Sequence, residues 1–249
     1  MKSGVPSAQL APCCDMNLLP NIFASSLGKK YIMAVTGFVL FLFVIGHLAG
    51  NLQIFLGPEA INRYGHFLQT NVELIWPARI FLLLMVGLHI WAATKVSVEN
   101  KSARPIGYIE NRPFGSSYAS RTMLMSGIII LAFVIYHLLH FTVQVQYINF
   151  TGESFVDFTD PQKRHDIFKM MVVGFSNLWV SGFYVLGLAL LCLHLSHGAS
   201  SMFQSIGLKN QAYGPLLDKG ARLVALLIFL GYTSIPVAIL LGYGKEAMK

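Results

Sequence analysis

Residues 31–56 read YIMAVTGFVLFLFVIGHLAGNLQIFL, 26 positions without a single Lys, Arg, Asp or Glu. A helix crosses a bilayer with about 20 mostly apolar residues, so this run is long enough. It lacks the period-two alternation of a membrane-barrel strand. In hydrocarbon every backbone N–H and C=O must be satisfied within the segment, and a helix does that. Four further runs meet the same test: Pro77–Thr94, Thr122–Val145, Met170–Leu195 and Leu223–Tyr243. The only Lys, Arg, Asp or Glu in them is Arg79, near the start of the second run and within reach of the headgroups. Pro236 interrupts the fifth run, where membrane helices tolerate a kink.

The rest of the 249-residue chain agrees with this reading. It is 55% hydrophobic and only 12% charged, half the roughly 25% of a soluble domain. A water-soluble globule could not cover its surface with so few ionic groups. The net charge of +7 looks at first like a nucleic-acid footprint, but its placement says otherwise. The N-terminus and the loops after spans two and four would share one side. They carry Lys2, Lys29, Lys30, Lys95, Lys101, Arg104, Arg112, Arg121, Lys209, Lys219 and Arg222, eleven of the 18 basic residues. The positive-inside rule then predicts a cytoplasmic N-terminus and an external C-terminus. The expected fold is an all-α bundle of five transmembrane helices forming one domain, 17–249. Residues 1–16 read as a weakly ordered extension without the apolar core of a signal peptide. No internal repeat is visible. Cys13, Cys14 and Cys192 form no C-x-x-C-H motif, so covalent haem attachment is not indicated.

Histidine carries the chemical signal. Six of the eight histidines fall in or beside the spans: His47, His89, His137, His140, His194 and His197. An ionisable group in hydrocarbon is a functional hypothesis by default, although any single one reads equally well as a packed, hydrogen-bonded side chain. Four consecutive spans each present one. At 1.5 Å rise per residue, His47 lies about 25 Å past Lys30 and His137 about 24 Å past Arg121. His89 is only about 9 Å from Lys95, and His194 falls near the same depth. The four sort into an outer pair, His47 with His137, and an inner pair, His89 with His194, about 15 Å apart. Two imidazoles at one depth suit bis-histidine ligation of a b-type haem. Gly37 and Gly127, each ten residues before an outer histidine, would sit at inner depth and admit a flat macrocycle. Ordinary small-residue packing is the equal alternative. His140 and His197 share helix faces with His137 and His194 and remain alternative ligands. His66 and His165 fall in outer loops and read as solvated.

The motifs VIGHLAGNLQ around His47, LMVGLHIWAA around His89, AFVIYHLLHF around His137 and GFYVLGLALLCLHLSHG around His194 are together similar to a known pattern. From about Asn17 to its end the chain resembles the single-chain, dihaem cytochrome b (b558-type) membrane anchor of bacterial succinate dehydrogenases and fumarate reductases. The resemblance implies two b-type haems with the same histidine pairs, and favours His137 over His140 and His194 over His197. It also implies partner subunits: a flavoprotein with covalent FAD, and an iron–sulfur protein delivering or taking electrons at the cytoplasmic face. No dinucleotide loop or Fe–S cysteine set lies in this chain. Lys101, Arg104, Arg112 and Lys209 are candidates to dock the iron–sulfur subunit, with lipid headgroups as the plainer role. A quinone, commonly menaquinone in this family, would react near the outer layer. Candidates for its hydrogen bonds and protons are Glu73, His66, Arg79, His140 and Gln144, with Glu73 preferred. Two other readings stay open: a cytochrome b anchor for another respiratory oxidoreductase, and a proton-coupled transporter with a histidine relay.

Overall fold

The computed structural model describes residues 22–103, 122–149, 155 and 164–248. The predicted extension at 1–16 and the basic residues Arg104, Arg112 and Arg121 lie outside that set. Among the described residues there is no strand, and five helices are long and apolar enough to cross a membrane.

Helix α1 (Ser26–Asn51) starts where the Ser25 hydroxyl accepts the Gly28 N–H at 3.0 Å, satisfying one of the orphan donors of the first turn. It runs on as a 3-10 turn (Leu52–Leu56) and stops at Gly57. Gly57 has φ 100°, a conformation closed to residues with a Cβ. Helix α2 (Pro58–Thr70) follows with Pro58 in its first turn, where the missing N–H costs nothing. The sequence reading leaves this segment as an outer loop; it is an amphipathic helix, and His66 lies on it. Helix α3 (Val72–Ser102) has 31 residues, longer than the expected Pro77–Thr94. At about 46 Å it outreaches a hydrocarbon core of about 30 Å, so its charged last turns leave the apolar layer. Helix α4 (Met123–His137) widens into one π-helical stretch, Leu138–Thr142.

The fourth span begins later than expected. Helix α5 (Ile167–Phe175) and helix α6 (Leu178–Ser205) are separate, where the sequence reads one run from Met170. The Asn177 side chain accepts the N–H groups of Trp179 and Val180 and so caps a new helix. Helix α5 is apolar because Phe168, Met170, Met171, Val172 and Phe175 are all buried under α2. Helix α7 (Gly214–Leu240) passes through Pro236 without ending.

Helices α1, α3, α4 and α6 form the bundle around the histidines. Helix α6 packs most extensively on α7, and α1 on α3 and then α6, whereas α3 and α4 scarcely touch. Helix α7 closes the side between α6 and α1. A Cβ at Gly231 would come 2.9 Å from Leu48, so glycine sets this approach, and the Tyr232 hydroxyl donates to the Val44 carbonyl at 2.8 Å.

Polar clamps tie the ends. At one end, buried Lys29 pairs with Glu99 at 2.5 Å, joining the start of α1 to the end of α3. Nearby, Lys209 pairs with Asp218 at 2.7 Å and donates to Ser200 at 2.9 Å, and Ser200 donates to Asp218. At the other end, Asn62 of α2 donates to Asp166 at 3.0 Å and accepts the Phe168 N–H at 3.0 Å. The Arg164 guanidinium grips both Glu59 oxygens at 3.1 and 3.2 Å, and Arg63 adds a third bond. Hydrogen bonds from Arg164 and then Arg63 hold the Glu59 carboxyl below its ordinary range.

Asp166 both caps α5, accepting the Lys169 N–H at 2.9 Å, and anchors α2. Asp166→Ala is expected to cost about 1–2 kcal/mol, while Asp166→Asn, which keeps the accepting oxygen, costs much less; thermal midpoints in detergent read the difference. Because the Glu59 pKa is depressed in the folded state, its contribution is present above the unfolded pKa and fades as pH falls through the lower folded value. Amide protection factors along α2, which take out the amides' own pH dependence, should therefore hold down to the ordinary carboxylate range and drop only below it, and Glu59→Gln should remove that step.

Candidate functional site

Within the bundle the structure sets His47 of α1 against His137 of α4. Their ring centroids are 5.8 Å apart with planes at 81°. Aromatic rings enclose the pair. Phe43 stacks on His47 at 5.3 Å, Tyr232 approaches it at 6.2 Å, and Phe133 and Phe141 flank His137 at 6.4 and 5.8 Å. The Tyr184 hydroxyl of α6 lies 3.4 Å from His137 Nδ1.

About ten residues toward the Lys29 end lies a second layer. His89 of α3 rests on α1 at Gly37, where an added Cβ would stand 3.1 Å from the imidazole Cε1. Its Nδ1 is 3.1 Å from the Thr36 hydroxyl. His194 of α6 rests on α4 in the same manner, with the Gly127 Cβ position 3.8 Å from Cε1 and Nδ1 3.1 Å from the Ser126 hydroxyl. One turn-pattern therefore recurs: Thr36-Gly37 receives the histidine of the next span, and Ser126-Gly127 receives the histidine of the span after it. At 1.5 Å per residue the layers are about 15 Å apart along the bundle.

The alternative histidines go elsewhere. His140 is buried within the π-helical stretch, with Nδ1 3.1 Å from the Tyr184 hydroxyl. Its ring packs on Phe141 at 4.0 Å, and its Nε2 lies against Gly174 of α5. The rings grouped with His47 are Phe43, His137 and Tyr232, so His137 faces α1 and His140 faces α5. His197 Nε2 meets the Ser201 hydroxyl of its own helix at 3.0 Å.

At the Glu59 end the remaining candidates do not form one cluster. Glu73 is exposed in the first turn of α3, and the exposed Arg79 lies over the Trp76 ring at 5.3 Å. His66 lies half-buried on α2. Gln144 takes φ 56° where the π-helical stretch ends, and its amide nitrogen contacts His165 Nε2 at 2.7 Å and Met170 Sδ at 3.2 Å. His165, read from sequence as solvated, is half-buried instead. The Phe155 carbonyl accepts from its Nδ1 at 2.9 Å, which leaves Nε2 as an acceptor for the Gln144 amide. Lys209, a docking candidate, is committed to Asp218 and Ser200, while Lys101 is exposed in the last turn of α3.

His47 and His137 would be the residues to hold a haem at this depth. A haem brings its own equatorial donors and asks the protein only for axial ones. Two metal–imidazole bonds of about 2 Å together with the two ring radii give a centroid separation of about 6 Å, close to that of His47 and His137.

Fold and site together define a membrane protein with five apolar spans, one facing imidazole pair, His47 with His137, and a second layer that holds His89 and His194. No protein-family model, curated protein or solved structure matches the chain. The sequence reading missed Thr36, Ser126 and Tyr184. The first two had a legible signal, a hydroxyl residue eleven and a glycine ten residues before the histidine in spans one and three; Tyr184 had none.

The two glycines are not equivalent. Gly37→Ala pushes its methyl group against His89, whereas Gly127→Ala makes only ordinary contact with His194. Any chromophore bound between His89 and His194 should be weakened or spectrally shifted by Gly37→Ala and left nearly unchanged by Gly127→Ala, as read in the visible spectrum of the purified protein.

Proposed function

We propose that this chain is the membrane-anchor cytochrome b subunit of a succinate:quinone oxidoreductase or fumarate reductase, in a bacterial cytoplasmic membrane with the N-terminus inside. The observation that carries the reading is the two-layer arrangement of imidazoles from four successive spans. The partner assignment rests on the resemblance of the motifs around His47, His89, His137 and His194.

In this reading His47 and His137 hold the outer b haem, and His89 and His194 the inner one. Bound there, the haems supply one-electron transfer across the apolar layer. The aromatic rings around His47 and His137 keep water from the outer pair. The basic end, with exposed Lys101, faces the iron–sulfur subunit. Succinate and flavin chemistry belong to the partner flavoprotein. Quinone, of the menaquinone type, binds toward the outer face. There Glu73, exposed at the start of α3, exchanges protons with the solvent; His66, Arg79 and Gln144 lie apart from one another, and the Gln144 amide is already engaged with His165 and Met170. His140 stands apart from this set, buried behind Tyr184.

Purified from membranes, the protein should show two b-type haems per chain. Replacing His47, His137 or both should remove one haem, and replacing His47 together with His89 should remove both. A colourless protein would overturn the reading in favour of a histidine relay. Co-purification with a covalent flavoprotein and an iron–sulfur protein supports the partner assignment; co-purification with a hydrogenase or a formate enzyme overturns it. Glu73→Gln should leave both haem spectra intact and slow quinone-linked turnover about a hundredfold, the low end of a general acid–base contribution; unchanged turnover removes Glu73 from the mechanism.

A further inference from the structure

We infer that Thr36 and Ser126 are positioning residues that hold the inner imidazoles as Nδ1-protonated tautomers, with Nε2 presented as the ligating nitrogen. The inference rests on the proposed dihaem reading and goes beyond it by assigning roles to two residues outside the ligand set.

The direction of each hydrogen bond follows from counting protons. A hydroxyl has one hydrogen. Thr36 gives it to the Ile32 carbonyl of its own helix at 2.7 Å, and Ser126 gives it to the Met123 carbonyl at 3.0 Å. A carbonyl can only accept, so each hydroxyl meets the imidazole with a lone pair. The nitrogen 3.1 Å away, Nδ1 of His89 or of His194, must then be the N–H donor. A neutral imidazole with its proton on Nδ1 has a bare Nε2, the form a metal binds, and the bond from Nδ1–H makes that nitrogen more basic. The arrangement suits a membrane helix, because Ser and Thr there ordinarily donate back to the preceding turn and leave no polar hydrogen facing hydrocarbon.

Three features separate this from chance contact. It occurs twice, on α1 and on α4. Each time the next residue is the glycine over which the imidazole lies. Both hydroxyl residues are buried, Thr36 at 3% and Ser126 at 8% exposure, so water does not compete for Nδ1. The outer pair is held differently. His137 Nδ1 is 3.4 Å from the Tyr184 hydroxyl, which His140 approaches more closely at 3.1 Å. One phenol thus serves two imidazoles there, whereas each inner imidazole has a hydroxyl of its own.

The test uses the whole complex purified from membranes. It compares Thr36→Val and Ser126→Ala, which remove the accepting hydroxyl, with Thr36→Ser and Ser126→Thr, which keep it; Ser126→Ala is the sharper of the two, because the Met33 carbonyl also accepts from the His89 imidazole. Haem content per chain, a redox titration in the visible region and low-temperature EPR are the readouts, and the outer haem reports intact folding within each sample. Loss of the acceptor should weaken inner-haem retention 10–100-fold. It should also make Nε2 a weaker donor and favour the ferrous state by up to tenfold, an upward shift of about 59 mV for one electron. The outer haem should keep its potential and g-values, and the Ser and Thr exchanges should restore the inner one. An inner haem with unchanged content, potential and g-values in Thr36→Val and Ser126→Ala overturns the inference alone. Loss of both haems together in these variants also overturns it, since the hydroxyls would then be structural. Wild-type protein without haem defeats the functional reading first, and the two failures are distinct.

Discussion

An imidazole inside a bilayer has no water to bond with, so each ring nitrogen must find its partner within the protein or in something the protein binds. That constraint organises the bundle. The Nδ1 atoms of His89, His194 and His137 all meet hydroxyls supplied by a neighbouring helix. Each such bond fixes how the helix bearing the histidine is rotated and how deep it lies. Glycine beside the hydroxyl lets the ring lie flat on the partner helix, and four spans become a frame around two layers of donors.

The ends of the bundle obey a different balance. Around Lys29, Glu99, Lys209 and Asp218 the side chains have left the apolar layer, and ion pairs there set the spacing of helix ends. On the opposite face α2 lies over α5, fastened by Asn62–Asp166 and Glu59–Arg164. Such exposed pairs contribute little individually, but Asp166 also caps a helix and Asn62 also takes a backbone N–H. The cap therefore acts as a network, and it covers the end toward which the outer imidazoles lie.

Much of this was legible in the sequence. The runs without Lys, Arg, Asp or Glu locate the five spans, because the cost of charge in hydrocarbon leaves a plain mark on the chain. The spacing of histidines from basic residues sorts them by depth, because helical rise is nearly constant. Ends and turns were harder to read. Asn177 starts a new helix within what reads as one apolar run, because a cap depends on the direction of one side chain. Helix α2 was hidden because an amphipathic helix on an outer face has a composition close to that of a loop. His165 was misread because its half-buried setting comes from Phe155 and Gln144, ten and 21 residues away, which no local pattern marks.

The order of residues along the chain is enough to define a bundle of five apolar helices with histidine as the principal titratable group inside. Composition and periodicity suffice for that, since partition between water and hydrocarbon acts residue by residue. Which imidazole faces which is a property of the packed fold. That fold turned His137 toward α1 and His140 toward α5, although three residues place both on one side of an ideal helix, and it gave each inner histidine a hydroxyl of its own. Facing depends on the rotation of packed helices and on the π-helical stretch after His137, and these come from contacts between segments that no local pattern encodes.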